Sequence, residues 1–356
     1  MAVPEAFRRF YQHFGERAVL SRSVQADAIH EALLTSTFNV MKVDVNRRRA
    51  SISVDGIPVV YSFKLPLSAE CPTFRILCEP GGLGITVQEQ IEYSRRALLA
   101  LTERLGWCSA QRGLDEILAH IIPNDPAAVS DWWGGLWIGA AIQADVAELR
   151  VYANLRHGEL ISRWQRVANL LAPFADERLI PVVREWIDTA SRVAIPVGAG
   201  VVLARSGVPV VRIYLGVESP GMDAIRIARG QRFHGSDAPL AEFCEAFVTT
   251  YGPFRRQSMT LGYDFAREAG GLFQPEIARF KVDVSFVNIR ADFNPSPDTF
   301  ILEQIERVFP EAAESYNAFR DDLAVCFGGS VIEYLSLNTS GNRLSEMTVY
   351  VRPHRY

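Results

Sequence analysis

The chain has 356 residues, 48% of them apolar and 22% charged, with a formal net charge of -4. That length buries a substantial core in one large domain or two ordinary ones, and the acidic balance excludes the overall basicity of a typical nucleic-acid binder. No run of 18 apolar residues occurs and the N-terminal MAVPEAFRRFYQHFGE has no apolar signal region, so the expectation is a cytoplasmic protein with no membrane contact.

The five cysteines (Cys71, Cys78, Cys108, Cys244, Cys326) show no CxxC spacing and read as buried or incidental thiols. The six histidines are scattered with no HExxH, so no metal site built on His or Cys is expected.

Taken in chain order, residues 1–56 form an N-terminal helical and hairpin segment, with MKVDV (41–45) and SISV (51–54) as the candidate hairpin. From residue 57 onward, strand pairs alternate with helices. VVYSFKL (59–65) precedes a strand in which Phe74, Ile76 and Cys78 face one way and Thr73, Arg75, Leu77 and Glu79 the other. The pattern VQEQIEYSRRALLALTERLGW (87–107) then predicts a helix.

GGLWIGAAIQ (134–143) precedes a second such strand, with Leu149, Val151 and Ala153 opposed to Glu148, Arg150, Tyr152 and Asn154. Helices are predicted over 161–174 and 178–192. VGAGVVLA (197–204) leads through Ser206-Gly207, a tight-turn signal, into a third strand that opposes Val211, Ile213, Leu215 and Val217 to Val210, Arg212, Tyr214, Gly216 and Glu218.

A helix over 238–251 and SMTLGYDF (258–265) come next. The fourth strand opposes Phe280, Val282, Val284 and Phe286 to Arg279, Lys281, Asp283 and Ser285. A helix over 299–309 and SVIEYLSLN (330–338) lead through Thr339-Ser340-Gly341 to a fifth strand, with Met347, Val349 and Val351 opposed to Glu346, Thr348, Tyr350 and Arg352.

The central residues at 77, 152, 214, 283 and 350 give a loose repeat of about 68 residues, a unit of two strands then one or two helices, five times over. The fold class expected is therefore α+β in a single domain spanning 1–356. Antiparallel hairpins with one apolar face need helices on that face. The other face carries arginine and tyrosine rather than a solvated mix of lysine and glutamate. Closure of ten strands into an antiparallel barrel turns that face into a lumen and removes the edges an open sheet would expose. An open sheet with a wet polar face is the alternative.

In a closed barrel, Arg75, Arg150, Arg212, Lys281 and Arg352 project into one cavity. Without equal carboxylates such a cluster repels itself unless a polyanion sits among it, and a diphosphate matches arginine forks and a lysine point charge. Tyr152, Tyr214 and Tyr350 add hydroxyls for phosphate oxygens and π faces for a cation. A site that binds diphosphate and then shelters an allylic carbocation needs that combination.

VVYSFKLPLSAECPTFRILCEPGG (59–82) resembles the start of the barrel in the aromatic prenyltransferases of the dimethylallyltryptophan synthase type. RVY at 150–152 and RIY at 212–214 are similar to that family's Lys/Arg-x-Tyr strands, and LGYDF…RFKVDV and MTVYV to its last two repeats. The likeness spans about residues 58–352.

The resemblance implies the ABBA fold and transfer of a dimethylallyl or longer allyl group from its diphosphate to an indole or other electron-rich aromatic acceptor, as in alkaloid and other secondary metabolism. By position it makes Glu79 the acceptor of a hydrogen bond from the substrate N–H. Arg150, Arg212 and Lys281 become the diphosphate clamp, and Tyr152, Tyr214 and Tyr350 the cation shield. Glu79 and Asp283 are the candidate proton acceptors. No cofactor is implied, and a metal is expected to be dispensable because side chains supply the positive charge.

The departures are Asp283 where a tyrosine is expected, Val210 where a further basic residue is common, and no sure match for a basic residue downstream of Glu79. Arg95 and Arg96 fall in the predicted helix. A prenyltransferase of a peptide or amino-acid side chain, and a barrel that binds isoprenoid diphosphate without turnover, are the rival readings.

VGAG (197–200) reads as strand rather than a dinucleotide fingerprint, Pro80–Gly84 as a strand-to-helix turn, Asp131–Gly135 as a packed turn, and Asp321-Asp322 as a helix-surface pair.

Overall fold

The computed structural model describes residues 4–17, 23–38, 57–66, 72–81, 85–107, 114–115, 118–122, 135–143, 145–172, 180–204, 210–229, 237–266, 280–287, 289, 294–340 and 343–354. Helices α1 (Glu5–Arg17) and α2 (Val24–Phe38) precede strands β1 (Val59–Pro66) and β2 (Thr73–Cys78). Helix α3 (Val87–Leu105) leads to β3 (Leu136–Ile142) and β4 (Val146–Asn154), then α4 (Leu160–Leu171) and α5 (Ile180–Ala190). Strands β5 (Ala194–Ala204) and β6 (Val210–Val217) are followed by α6 (Met222–Arg229) and α7 (Ala238–Tyr251). Strands β7 (Met259–Ala266) and β8 (Phe280–Ser285), helices α8 (Pro297–Val308) and α9 (Ala313–Phe327), and strands β9 (Ser330–Ser340) and β10 (Arg343–Pro353) complete the order.

The ten strands form one closed antiparallel barrel in the order β1-β10-β9-β8-β7-β6-β5-β4-β3-β2, so the open-sheet alternative falls. β1 closes the ring by pairing with both β2 and β10, with Ser62 opposite Arg75 on one side and Tyr350 on the other. Pro196 lies where the β5–β6 ladder slips by a residue, the position in a strand that tolerates a missing N–H.

The alternation read from sequence sets the layers. Phe74, Ile76 and Cys78, Leu149 and Val151, Val211 to Val217 at alternate positions, Val282 and Val284, and Met347 to Val351 at alternate positions are all buried outside the barrel, beneath the helices. Each such large apolar side chain contributes about 1.5–3 kcal/mol when fully buried. Over β1 and β2 this layer is aromatic: Phe10 lies 4.8 Å from Tyr61, and Phe63 stacks on Phe319 at 5.0 Å.

Helix α3 starts at a capping box, with Glu89 N–H donating to Thr86 Oγ1 at 3.2 Å and Thr86 N–H to Glu89 Oε2 at 2.8 Å. Buried Gln90 then ties it to the barrel by accepting from Leu136 N–H at 2.8 Å.

Three expectations need correction. Helix α6 exists where none was predicted, after the turn residues Ser219-Pro220-Gly221, and α9 spans Ala313–Phe327 where only the Asp321-Asp322 pair was read as helical. Helices follow only the first four strand pairs: no described helix follows β10, and the N-terminal α1 and α2 pack against α9 and the β2–β4 sector. Asp322 is fully buried rather than on a helix surface. The candidate hairpin at 41–54, the Ser206-Gly207 turn, Asp131–Gly134, Arg279, Cys71 and Cys108 lie outside the described residues. VGAG is strand, within β5.

Candidate active site

Two cavities share the barrel interior. A charged one of about 270 Å³ is lined by Arg75, Glu148, Arg150, Arg212, Asp264, Lys281, Ser336, Asn338, Glu346, Thr348 and Tyr350, with Val202 and Val210. An aromatic one of about 260 Å³ is lined by Trp137, Tyr152, Tyr214, Tyr350, Val60, Leu77, Asp283 and others. Lys281 and Tyr350 border both. Strand alternation produces this split: on β4 and β6 the cation and the tyrosine are two residues apart, so each pair occupies adjacent layers of one face.

The neighbouring strands make room. Gly200 of β5 pairs with Tyr152 on one side and Arg212 on the other, and a Cβ there would come within 2.5 Å of the Tyr152 ring. Gly262 of β7 pairs with Tyr214 and Lys281, and a Cβ there would meet the Lys281 stem at 2.6 Å. The large side chains of β4 and β8 therefore lie across glycines on their partners.

Sequence reasoning expected five cations without equal carboxylates; the structure provides a carboxylate for four of them, Arg150, Arg212, Lys281 and Arg352. Arg212 and Asp264 form a bidentate pair through Nε–Oδ1 and Nη2–Oδ2. Arg150 Nε donates to Glu148 Oε2 at 2.9 Å and Nη1 to the Tyr152 hydroxyl at 3.3 Å. Lys281 Nζ donates to Asp283 Oδ1 at 3.0 Å, and Ser336 Oγ also bonds that carboxylate.

Arg75 differs. It keeps some surface toward the lumen, forms no ion pair among the described residues, and its Nε has no hydrogen-bond partner there. Burial, then repulsion from Arg150, lowers its pKa. Among the described residues Arg75 is thus the arginine of the charged cavity with no ion-pair partner, and Glu148 attracts it only at a distance.

The other shifts have traceable causes. Burial disfavours the charge on Arg150, Arg212 and Lys281, but Glu148, Asp264 and Asp283 respectively outweigh it, and all three are raised. Attraction from Arg150 brings the Glu148 carboxyl down to about 2 against the opposing effect of burial. Burial pushes the Tyr152 hydroxyl up, yet Arg150, Arg212 and Lys281 overcome it and hold the group below the usual phenol range.

In the aromatic cavity the Tyr152 and Tyr214 rings are 6.0 Å apart at 57°. Lys281 Nζ sits 4.8 Å from the Tyr214 ring centre and 5.8 Å from that of Tyr350. A cation already finds favourable π faces here.

Of the candidate residues, Arg75, Arg150, Arg212 and Lys281 converge on the charged cavity, and Tyr152, Tyr214, Tyr350 and Asp283 on the aromatic one. Arg352 joins neither; its Nε lies 3.1 Å from Glu333 Oε1. Glu79 is fully buried immediately after β2, its N–H donating to the Pro58 carbonyl at 2.9 Å. Leu77 rather than Glu79 forms the described β2 wall of the aromatic cavity. Arg95 and Arg96 belong to α3, outside the barrel.

Glu148, Asp264, Ser336, Trp137 and Glu333 were not singled out from sequence. The signal for Glu148 was present, two residues before Arg150 on the same face. Asp264 required the register, which sets it opposite Arg212. Among the described residues no cluster of three or more His, Cys, Asp or Glu that could hold a metal ion is present, and no helix is long and apolar enough to cross a membrane.

A barrel of ten antiparallel strands enclosing a charged and an aromatic cavity, with helices outside, defines the ABBA prenyltransferase architecture. The structure is similar to that of 6-dimethylallyltryptophan synthase from Micromonospora olivasterospora in complex with DMASPP and Trp, with a TM-score of 0.76, 18% identity, and 99% of this chain and 98% of that chain covered. It is similar also to 5-dimethylallyltryptophan synthase from Streptomyces coelicolor, with a TM-score of 0.72, 16% identity and coverage of 98% and 95%. AnaPT from Neosartorya fischeri matches with a TM-score of 0.71, 13% identity and coverage of 99% and 95%. No protein-family model and no curated protein matches the chain. The chain has the fold of these prenyltransferases.

Proposed function

We propose that this protein is an aromatic prenyltransferase that moves a dimethylallyl or longer allyl group from its diphosphate to an indole or other electron-rich aromatic ring. The observation that carries the reading is Arg75, with no ion pair among the described residues, beside Arg150, Arg212 and Lys281, one layer from a cage of Tyr152, Tyr214 and Tyr350. A diphosphate neutralises the first layer; an allyl cation suits the second.

As the C1–O bond breaks, its electron pair leaves with the diphosphate, and the positioned cations stabilise the developing charge. The tyrosine faces then border C1, and Lys281, held by Asp283, remains on the diphosphate side. The acceptor ring donates a π pair to C1, and loss of a ring proton to a carboxylate restores aromaticity. Glu79 and Asp283 remain the candidate acceptors of that proton; Asp283 already carries bonds from Lys281 and Ser336, which favours a positioning role for it. Side chains supply the charge on the leaving group in this scheme, so no cofactor is invoked. We place the reaction in the cytoplasm, in secondary metabolism of the alkaloid type.

Mass spectrometry of products from dimethylallyl, geranyl and farnesyl diphosphates against indoles and peptides tests this. Alkylated indole is the expected result. Tight diphosphate binding with no alkylated product from any acceptor would support the binding-barrel rival, and modification of peptides alone would support the peptide enzyme.

A further inference from the structure

A third cavity, of about 320 Å³, lies where the first turn of α4, the junction of α5 with β5 and the exit of β6 meet. It shares no lining residue with either lumen cavity. Its lining combines apolar Leu160, Val193 and Ile195 with charged Arg163, Arg192, Arg256 and Glu218. Glu218 is already engaged: Arg256 Nε donates to its Oε2 at 2.9 Å and Gln257 Nε2 to its Oε1 at 3.1 Å. Gln257 does so from a φ of 58°, in the left-handed region that residues other than glycine seldom enter.

Arg163 and Arg192 form no ion pair among the described residues. Each follows a carboxylate by four residues, Glu159 and Asp188, the spacing at which helical ion pairs form, yet neither pair is made. Arg163 Nε donates instead to the Gly158 carbonyl at 3.1 Å. Burial, then repulsion from Arg156, lowers its pKa. Two guanidinium groups without a carboxylate thus share a cavity whose own carboxylate is held by the loop before β7. Ala194 and Ile195, at the start of β5, also line it. The strand then passes the slip at Pro196 and reaches the aromatic cavity at Val197, Gly198 and Ala199. An occupant of the third cavity therefore bears on a strand that walls the aromatic one.

We propose that this cavity is an effector site for a small amphipathic anion, a carboxylate or phosphate monoester on an apolar body, with Arg163 and Arg192 binding the head group. Guanidinium forks match the oxygens of both anions, and Leu160, Val193 and Ile195 offer apolar surface to the body. The volume matches the lower end of small-molecule sites, about 300 Å³. Binding here goes beyond the prenyl-transfer reading and does not rest on it; the effect on turnover does.

The test titrates the full chain by fluorescence with 1-anilinonaphthalene-8-sulfonate, in excess inorganic diphosphate to compete for the lumen cations. The uncharged N-phenyl-1-naphthylamine is the control. Wild type should bind the sulfonate about tenfold tighter than the neutral probe, and R163Q/R192Q should lose about tenfold in affinity for the sulfonate alone, the effect of one charge-assisted hydrogen bond. Equal binding of the two probes to wild type, a result that needs no variant to fold, would overturn the site, as would a sulfonate affinity unchanged in R163Q/R192Q. 1-Naphthoate or 1-naphthyl phosphate should displace the sulfonate; displacement by neither overturns the head-group assignment. With dimethylallyl diphosphate and tryptamine, the sulfonate should shift the acceptor KM of wild type about fivefold, the low end of allosteric coupling, and leave that of R163Q/R192Q unchanged. No shift in wild type, or the same shift in both proteins through competition inside the lumen, overturns the effector role. A wild type that alkylates no acceptor overturns the prenyl-transfer reading and the effector role with it, while the binding arm decides the site by itself.

Discussion

The Lys281 ammonium lies 4.8 Å from the centre of the Tyr214 ring while its Nζ also bonds Asp283 Oδ1 at 3.0 Å. One cation thus faces a π surface and a carboxylate at the border between the two cavities, where leaving group and carbocation separate. K281M keeps an unbranched stem over Gly262 and removes the charge. The expected outcome is a fall in kcat of about 10²- to 10³-fold, the usual effect of losing one transition-state donor, with the acceptor KM little changed. Steady-state kinetics with both substrates varied checks it, and a retained kcat would remove Lys281 from the leaving-group side.

Arg75 carries the opposite signature, a buried charge with no ion pair among the described residues. R75M should leave the ligand-free protein as stable as wild type or more so, because it removes repulsion with Arg150. It should also weaken donor binding at least tenfold. Thermal unfolding with and without inorganic diphosphate separates the two effects: wild type gains stability on binding, and R75M gains much less.

Asp264 is expected to matter for folding. D264N leaves Arg212 buried without its carboxylate and should cost about 3–5 kcal/mol. The double variant R212L/D264L should recover most of that stability while remaining inactive. Denaturant unfolding of the three proteins checks the cycle, and an unaffected D264N would mean that the pair contributes nothing.

Gly200 sets the position of a cage wall. G200A puts a methyl within 2.5 Å of the Tyr152 ring, and such overpacking typically costs about 1–3 kcal/mol. With the ring displaced, water should reach the cation more often. The ratio of prenyl alcohol to alkylated acceptor should rise, and product quantification measures it.

Glu148 predicts an acid limb. Its carboxyl is brought down from 4.5 to about 2, chiefly by Arg150. A depressed carboxylate pKa means that its stabilisation is complete above about 4.5 and is lost as pH falls towards 2. Acid unfolding of wild type and E148Q should therefore differ above pH 4.5 and converge near pH 2. Parallel curves throughout would remove Glu148 from the acid response.

Much of the barrel was legible because each strand face has a consistent identity. The faces of Leu149-Val151-Ala153 and Glu148-Arg150-Tyr152 differ in composition, and a period of two separates them without ambiguity. The cations Arg75, Arg150, Arg212 and Lys281 followed from that alternation. Asp264 and Glu333 did not. Asp264 matters only because register sets it opposite Arg212, and Glu333 reaches the cavity wall only because a bulge interrupts the period that would otherwise assign it. Arg352, on the correct face by alternation, is drawn instead to Glu333. Helix α6 escaped because it is only eight residues long and follows Ser219-Pro220-Gly221.

The sequence alone determined which side chains share a face, since pleating is local and depends on nothing beyond the next residue. From that came the barrel, its helical coat, the basic layer and the tyrosine layer. Only the tertiary structure decided how charge is distributed inside. Pairing across strands is a matter of register, and an ion pair forms or fails over a few ångströms. The fold gives Arg150, Arg212 and Lys281 a carboxylate each, leaves Arg75 without an ion pair among the described residues, and sets the bulged Glu333 against Arg352.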